Sequence, residues 1–574
     1  MNHSVTAADV IVAELAVLGV QHVVLAPGSR SAPLAFSLQA AVGRGQMRLH
    51  VRIDERAAGF TALGLARVAG PVAVVTTSGT AVANLHPAVL EAAHAGVPLI
   101  VLSADRPHEL RGTGANQTTD QVDIFGSAVR FVADVPAPSG RAGEHSDLRN
   151  LLGRAVAAAT GARTRRPGPI HLNLAFREPL VPDAADWPSA TSVVAGQVPG
   201  RVQVDSAAVD HSGHGGAPAR SLGRGRHTVV VAGDGAGDDA RELAEQGGFP
   251  LLAEPSSGAR GGPNAIMLYR LLLGRPELGG RVERVVVFGR PTLSRPVSAL
   301  LARRDVEVVV VAPSSDWPDP ARNAAVVTTA VRAEPDPAGA DWLARWIAAD
   351  AAARQAVSGV LDASGLTGPQ VARELWSATG PGQVVVVASS NPIRDLDLTA
   401  PPWFGDSAAI GPRVVANRGL AGIDGTLSTA SGVALGSGGF TRVLIGDLAF
   451  LHDLGGLLVG PLEQPPELQV VVVNDDGGGI FSLLEQGAPE YSADFERVFG
   501  TPHGADIAAL CAGYGVTHEH VTDLSRLREL LMAPPPGRSV IEIRTERHGL
   551  RDLHARLRAV VDATLSHDHE HFAG

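Results

Sequence analysis

Four times before residue 107, a short strand-like run stops at a polar turn, and after the first three a helix-like stretch follows. Residues 23–26 run into Pro27-Gly28-Ser29-Arg30, with a helical stretch from Ser31. Residues 50–53 end at Asp54-Glu55, before a small-residue helix through Ala66. Residues 72–77 lead into Ser78-Gly79-Thr80 and a helix from Ala81, and residues 97–103 lead into Ala104-Asp105-Arg106-Pro107. A strand that is apolar on both sides is buried on both faces, so this rhythm predicts a parallel sheet covered by helices on each side. In such a sheet ligands bind outside the carboxyl ends of the strands, which is where the polar turns fall.

The first unit closes with a strand over residues 169–174. Runs at 228–232, 284–288 and 306–311 define a second unit, and runs at 384–388, 441–445, 468–473 and 540–543 a third. The predicted fold class is α/β, with three α/β domains built on mainly parallel sheets. Their expected bounds are 1–185, 228–355 and 356–574. Residues 186–227, rich in Gly, Ser, Pro and Ala without a period, read as a partly mobile linker. The loop Gly233-Asp234-Gly235-Ala236-Gly237 reads as a tight strand-to-helix turn, since its third glycine comes one place too early for a dinucleotide fingerprint. The terminal His567-Asp568-His569-Glu570-His571 reads as a frayed polar end, with loose metal binding the weaker alternative.

Composition narrows the chemistry by exclusion. All 48 Lys+Arg residues are arginine, which removes enzymes that need a Schiff-base lysine and P-loop proteins that need their phosphate-reaching lysine. A net charge of −11 disfavours a nucleic-acid partner. No apolar run is long enough to span a membrane. Residues 1–20 read as a first amphipathic helix rather than a signal peptide, so a cytoplasmic location is expected. The lone Cys511 rules out a disulfide framework or a cysteine-rich metal site.

Two constellations carry chemistry. Gly446-Asp447 and Asn474-Asp475-Asp476-Gly477 each follow an apolar strand, with the acids 28 positions apart. Two carboxylates at neighbouring strand ends, with glycines that let backbone close in, suit a magnesium ion shared with ligand phosphates. Either turn alone would read as an ordinary Gly-Asp turn. The second is Asp54-Glu55-Arg56, entering a Gly/Ala-rich helix. There Glu55 either complements the helix dipole or, partly desolvated with a raised pKa, shares a proton with a ring nitrogen.

Together these resemble the decarboxylase-type thiamine diphosphate enzymes, whose pyrimidine-binding, central and diphosphate-binding domains match the three units. That family's metal motif opens GDG and closes NN. Here it reads Gly446-Asp447-Leu448 and Asn474-Asp475, and Asp475 keeps an oxygen ligand. Within the family the chain resembles the 2-succinyl-5-enolpyruvyl-6-hydroxy-3-cyclohexene-1-carboxylate synthases. The match runs through Pro27-Gly28-Ser29-Arg30-Ser31-Ala32-Pro33-Leu34, Ile53-Asp54-Glu55-Arg56, Thr77-Ser78-Gly79-Thr80-Ala81 and Ser103-Ala104-Asp105-Arg106-Pro107. It continues through Gly114-Ala115-Asn116-Gln117, Asn417-Arg418-Gly419, Gly422-Ile423-Asp424-Gly425 and residues 478–484. Residues 186–350 match less distinctly.

The resemblance implies thiamine diphosphate and magnesium, with manganese as a possible substitute. It also implies decarboxylation of 2-oxoglutarate, with conjugate addition of the remaining carbanion to isochorismate. By the same resemblance Glu55 hydrogen-bonds the cofactor pyrimidine and Ile423 is the apolar wedge behind it. Thr80, Gln117, Ser390, Gly446, Leu448 and Ile480 line the cofactor, and Asp447, Asp475 and the Gly477 carbonyl hold the metal. Ser29, Arg30, Arg106, Asn116, Gln117, Arg394 and Arg418 would bind the substrates, with Gln117, Arg394 and Arg418 also catalytic. Arginine suits dicarboxylates because its fork binds a carboxylate through two parallel hydrogen bonds. Ile480, Phe481 and Leu484 form an apolar wall, or else pack as ordinary core. Arg290 and Arg295 are structural, or bind an effector anion in the central unit. A homodimer is the minimum unit the family implies, with a tetramer compatible. An acetolactate-synthase-like or oxalyl-decarboxylase-like enzyme is the alternative, and the arginine set argues against it. Retention of Glu55 with both metal acids argues against a non-catalytic relative.

Overall fold

A computed structural model describes residues 2–183, 198–205, 219–335, 337–404 and 411–568. Contacts divide the chain into two compact units: residues 1–208, 419–440 and 452–468, and residues 209–418, 441–451 and 469–574.

The first unit holds a six-stranded sheet in the order Arg48–Val51, His22–Leu25, Val72–Thr76, Leu99–Asp105, Ile170–Ala175, Val132–Val135. Every pairing in it is parallel. Alternate residues face opposite covering layers. Val23 and Leu25 join the cluster that includes Leu15 and Leu38, whereas Val24 and Ala26 join the one around Phe60 and Leu63. Each such buried aliphatic side chain stabilises the fold by ~1.5–3 kcal/mol. Helix Glu55–Ala69, capped by the Asp54 side chain on Ala57 N, packs on helix Thr426–Ser437 of the same unit. A Cβ on Gly64 would lie 2.0 Å from Thr429 O, and one on Gly432 2.0 Å from Thr61 O. The small-residue character of both helices is therefore a condition of their close approach.

Among the described residues the second unit contains a two-stranded sheet and two larger ones. One runs in the order Ala324–Thr328, Glu307–Val311, Arg284–Phe288, Thr228–Ala232, Leu251–Ala253, and all four pairings are parallel. The other runs Arg413–Val415, Val384–Val387, Thr441–Gly446, Leu468–Asn474, Arg538–Arg544, Thr517–Val521. Numbered within itself, this last sheet has the strand order 2-1-3-4-6-5, the same as the sheet of the first unit.

Some expectations shift. The second strand is Arg48–Val51 rather than 50–53, so Ile53 lies in a turn and is 73% exposed. The helix expected from Ala81 is broken into Thr80–Ala83 and His86–Ala95, with Pro87 in the first turn of the second piece. Strands Val132–Val135, Leu251–Ala253, Ala324–Thr328, Arg413–Val415 and Thr517–Val521 were not foreseen. Within the expected linker, Arg220–Leu222 is a strand paired with Val331–Ala333, and Arg201 forms a two-pronged pair with Glu14 at 2.9 and 2.8 Å. Residues 186–197 and 206–218 of that linker, and His569-Glu570-His571 of the tail, lie outside the described residues. The glycine loop at 233 is a tight turn: a Cβ on Gly233 would lie 2.1 Å from the Arg290 carbonyl carbon. The helix after it opens with Asp238 and Asp239, which repel a phosphate.

Candidate active site

In the first unit the switch in strand order falls between His22–Leu25 and Val72–Thr76, the place where open α/β sheets leave a crevice. The turns after these strands touch: a Cβ on Gly28 would sit 2.3 Å from Thr77 Cβ. This explains the glycine in Pro27-Gly28-Ser29-Arg30 and brings Ser29 and Arg30 beside Ser78-Gly79-Thr80. Arg30 donates to Phe176 O at 3.0 Å. Arg106, 8% exposed, donates through one terminal nitrogen to Ser78 Oγ and, at 2.7 Å, to Gln117 O. Gln117 Nε2 donates back to Ser78 O at 3.0 Å. Part of the Arg106 fork, expected to bind a substrate, is therefore occupied within the protein. Burial, and then the charge of Arg30, lowers the Arg106 pKa. Arg30, which also faces Glu178 at 3.7 Å, thus stands near Arg106 at the same strand ends. Ser29, Thr80, Asn116 and Gln117 are exposed at the same strand ends, and Glu55 is half-buried at its helix start. Gln117 has φ 55°, in the left-handed region where a non-glycine residue is strained by ~1–3 kcal/mol. Ile423, half-buried, directly precedes the helix that packs on the Glu55 helix.

In the second unit Thr441–Gly446 and Leu468–Asn474 are neighbouring strands, so Asp447 and Asp475 emerge side by side. Asp447 Oδ2 accepts from Gly477 N at 2.7 Å and pairs with His503 Nε2 at 3.1 Å; Oδ1 accepts from Leu448 N. Ala505 N donates to His503 Nδ1, so the Nε2 proton is the one that points at Asp447. Burial pushes the Asp447 pKa up. Burial and the neighbouring Asp447 push Asp475 to about 7. Asp475 Oδ1 is buried with no hydrogen-bond partner among the described residues. A carboxylate pair that is desolvated and short of a partner fits a hard divalent cation. A Cβ on Gly446 would meet nothing nearer than 4.0 Å, leaving room for a phosphate-bearing ligand.

Around this pair, Ser390 has φ 77° at the cap of helix Asn391–Thr399. Its carbonyl accepts from Arg394 at 2.6 Å. Arg418 is 3% exposed and donates to Thr292 Oγ1 at 2.8 Å. The Arg394 pKa is lowered first by burial and then by Arg418 and Arg270. A second arginine pair is thus crowded in a dry place. Ile480, Phe481 and Leu484 are half-buried on and beside the 3-10 turn Gly479–Leu483. Phe481 faces Phe499 with ring centroids 5.8 Å apart, and Arg551 holds the carbonyls of Ser482 and Leu484.

Sequence reasoning missed three groups here. Arg547 donates to the carbonyls of Asp475 and Asp476 and pairs with Glu496. His503 and Glu254 were also passed over. Glu254 is 2% exposed and accepts from Leu293 N at 2.8 Å; burial raises its pKa to about 8. All three come from loops that carry no motif. Arg295 pairs at the surface with Glu485 at 3.6 Å, in keeping with a structural role.

Residues 5–124 match the N-terminal TPP binding domain of thiamine pyrophosphate enzymes. The chain is 53% identical to a 2-succinyl-5-enolpyruvyl-6-hydroxy-3-cyclohexene-1-carboxylate synthase of Kineococcus radiotolerans, covering 99% of this chain and all of that protein. A synthase of the same name from Renibacterium salmoninarum is 51% identical over 96% of this chain and 95% of its own. The chain belongs to this synthase family. The crystal structure of benzoylformate decarboxylase from Polynucleobacter necessarius aligns with a TM-score of 0.61 at 17% identity. It covers 95% of this chain and 99% of that one, a likeness of fold. The chain is therefore an enzyme of the synthase family with the fold of that decarboxylase. Among the described residues no helix is long and apolar enough to cross a membrane.

Proposed function

We propose that this enzyme decarboxylates 2-oxoglutarate and transfers the remaining succinyl-semialdehyde unit to isochorismate by conjugate addition. The products are 2-succinyl-5-enolpyruvyl-6-hydroxy-3-cyclohexene-1-carboxylate and carbon dioxide, a cytoplasmic step toward menaquinone. The observation that carries this reading is that the buried Arg418, held on Thr292 Oγ1, and the half-buried Arg394 follow the neighbouring strands Arg413–Val415 and Val384–Val387, next to the strand that leads into Asp447. A guanidinium fork binds a carboxylate through two parallel hydrogen bonds, and both substrates are dicarboxylates.

Thiamine diphosphate, when bound, supplies the electron sink for loss of carbon dioxide. Asp447, Asp475 and the Gly477 carbonyl hold magnesium, and Gly446, Leu448, Ser390 and Ile480 border the diphosphate. Glu55 holds a proton against the pyrimidine nitrogen, with Thr80, Gln117 and Ile423 placing the ring. Arg30 and Arg106, with Ser29 and Asn116, take one substrate carboxylate end; Arg394 and Arg418 take another. Phe481 and Leu484 keep water from the reacting carbon. The domain division is 1–185, 228–355 and 356–574. The working unit is a homodimer at least. Supporting this, Ile53 and Leu462 are 73% and 97% exposed on segments joined by the Arg52–Glu463 pair at 3.7 Å, an apolar surface suited to a second copy.

The test is carbon dioxide release from 2-oxoglutarate with thiamine diphosphate and magnesium. Release should rise at least tenfold with isochorismate and match its consumption. Release coupled instead to pyruvate, with isochorismate untouched, would favour the acetolactate-synthase-like alternative.

A further inference from the structure

Behind the loops of the first unit lies a polar relay that the proposed chemistry does not use. Three adjacent strands place Ser103 opposite Asn173 and Asp134 opposite Asn173. Asn173 is fully buried, yet its amide is satisfied on both ends. Its Oδ1 accepts from Ser103 Oγ at 3.0 Å and from Gln121 Nε2 at 2.9 Å. Its Nδ2 donates to Asp105 Oδ2 at 2.9 Å and Asp134 Oδ1 at 2.8 Å. Turning the amide over would face its oxygen to two carboxylates and its protons to two donors, so only one orientation is compatible with this set.

The relay has two outputs. Gln121, 0% exposed, accepts from Gly79 N at 2.8 Å. Gly79 has φ 80° and caps the short helix that begins at Thr80. Asp105 Oδ1 accepts from Arg106 N at 2.7 Å, and the Arg106 guanidinium in turn holds Gln117 O. Both outputs are backbone N–H groups directly beside residues assigned to the ligands.

We propose that Gln121 and Asn173 are positioning residues, which fix the backbone at Gly79 and Arg106 and so set Thr80, Arg106 and Gln117 in place before any ligand arrives. This rests on the pyrimidine-side assignment of those three residues. Asn173→Asp replaces a donor with an oxygen facing the Asp105 and Asp134 carboxylates, both of which Arg111 also pairs with, at 2.9 and 2.7 Å. Gln121→Met keeps the length and removes its three hydrogen bonds, to Gly79 N, Asn173 Oδ1 and Ala104 O.

The first readout is amide hydrogen exchange of the ligand-free full-length enzyme, which does not depend on what the enzyme binds. In Gln121→Met, exchange across residues 78–84 and 105–118 should quicken at least tenfold while strand Ile170–Ala175 stays protected. The second is thiamine diphosphate titration with magnesium, where Kd should rise about tenfold at an unchanged thermal midpoint. Asn173→Asp should lose at least tenfold in kcat/KM at pH 8 and regain activity as falling pH protonates the new carboxyl and restores a donor. Exchange at wild-type rates in Gln121→Met would overturn the proposal. So would a loss in Asn173→Asp that merely follows its folded fraction and shows no recovery at low pH. Failure of the wild type to bind thiamine diphosphate would instead overturn the functional assignment, leaving the exchange result standing.

Discussion

The first sheet and the last share one strand order, yet their carboxyl ends are finished differently. After strand one of each comes an arginine, Arg30 or Arg394. After strand two comes Glu55 in the first and Arg418 in the last; after strands three and four come Thr80 and Arg106 against Asp447 and Asp475. At the first sheet's end, Asn173 and Gln121 are partnered from within the protein. At the last, Asp475 Oδ1 has no partner among the described residues, and burial holds Asp447 and Asp475 away from easy ionisation. The same topology therefore yields one end that is partnered from within and another whose buried carboxylates are left short of a partner, as the proposed cation requires.

If that contrast holds, Asp447→Ala and Glu55→Gln should fail in different ways. Asp447→Ala should lose magnesium-dependent cofactor binding by at least about 100-fold in calorimetry, since a hard cation loses a carboxylate ligand. Glu55→Gln should bind within a few-fold of wild type while turnover falls by roughly 10²–10⁴, the usual range for a lost proton-transfer group. Equal loss of binding in both would erase the distinction between the two ends.

Arg394→Ala is smaller. Losing a charged hydrogen bond to a carboxylate is worth ~1.5–3 kcal/mol, so the KM of one dicarboxylate substrate should rise by about 10- to 100-fold with the fold intact. Unchanged steady-state constants would remove Arg394 from the anion seat.

Smallest per unit of change is a pH effect in the second unit. Glu254 stays protonated in the folded enzyme up to about 8 but ionises near its ordinary value when unfolded. Folding thus takes up a proton between those values, and stability falls as pH rises across that window. The slope is at most about 1.4 kcal/mol per pH unit. Glu254→Gln should flatten it in thermal melts from pH 5 to 8, and an unchanged slope would count against a proton held there.

The parallel sheets and the adjacent placement of Asp447 and Asp475 were legible because continuous valine runs and Gly-Asp turns are local patterns. Strands Val132–Val135 and Thr517–Val521 were not, since they carry polar residues such as Asp134, His518 and Glu519 where a buried strand would be apolar. Asn173 and His171 lie inside a run read as plain strand; their partners, Gln121 and Ser103, are 52 and 68 positions away, a separation no local pattern records. His503, Arg547 and Glu254 escaped for the same reason. Arg106 was recognised, but its hold on Gln117 O depends on a loop closure visible only in three dimensions.

The most direct test of two unlike ends serving one reaction is to mix Glu55→Gln and Asp447→Ala chains and allow subunit exchange. Each variant alone should be nearly inactive. If each site takes its Glu55 end from one copy and its metal end from another, mixed dimers keep one intact site, and carbon dioxide release with isochorismate should reappear in the mixture. A mixture that has exchanged subunits, as native mass measurement would establish, yet stays as inactive as its parents would contradict the account.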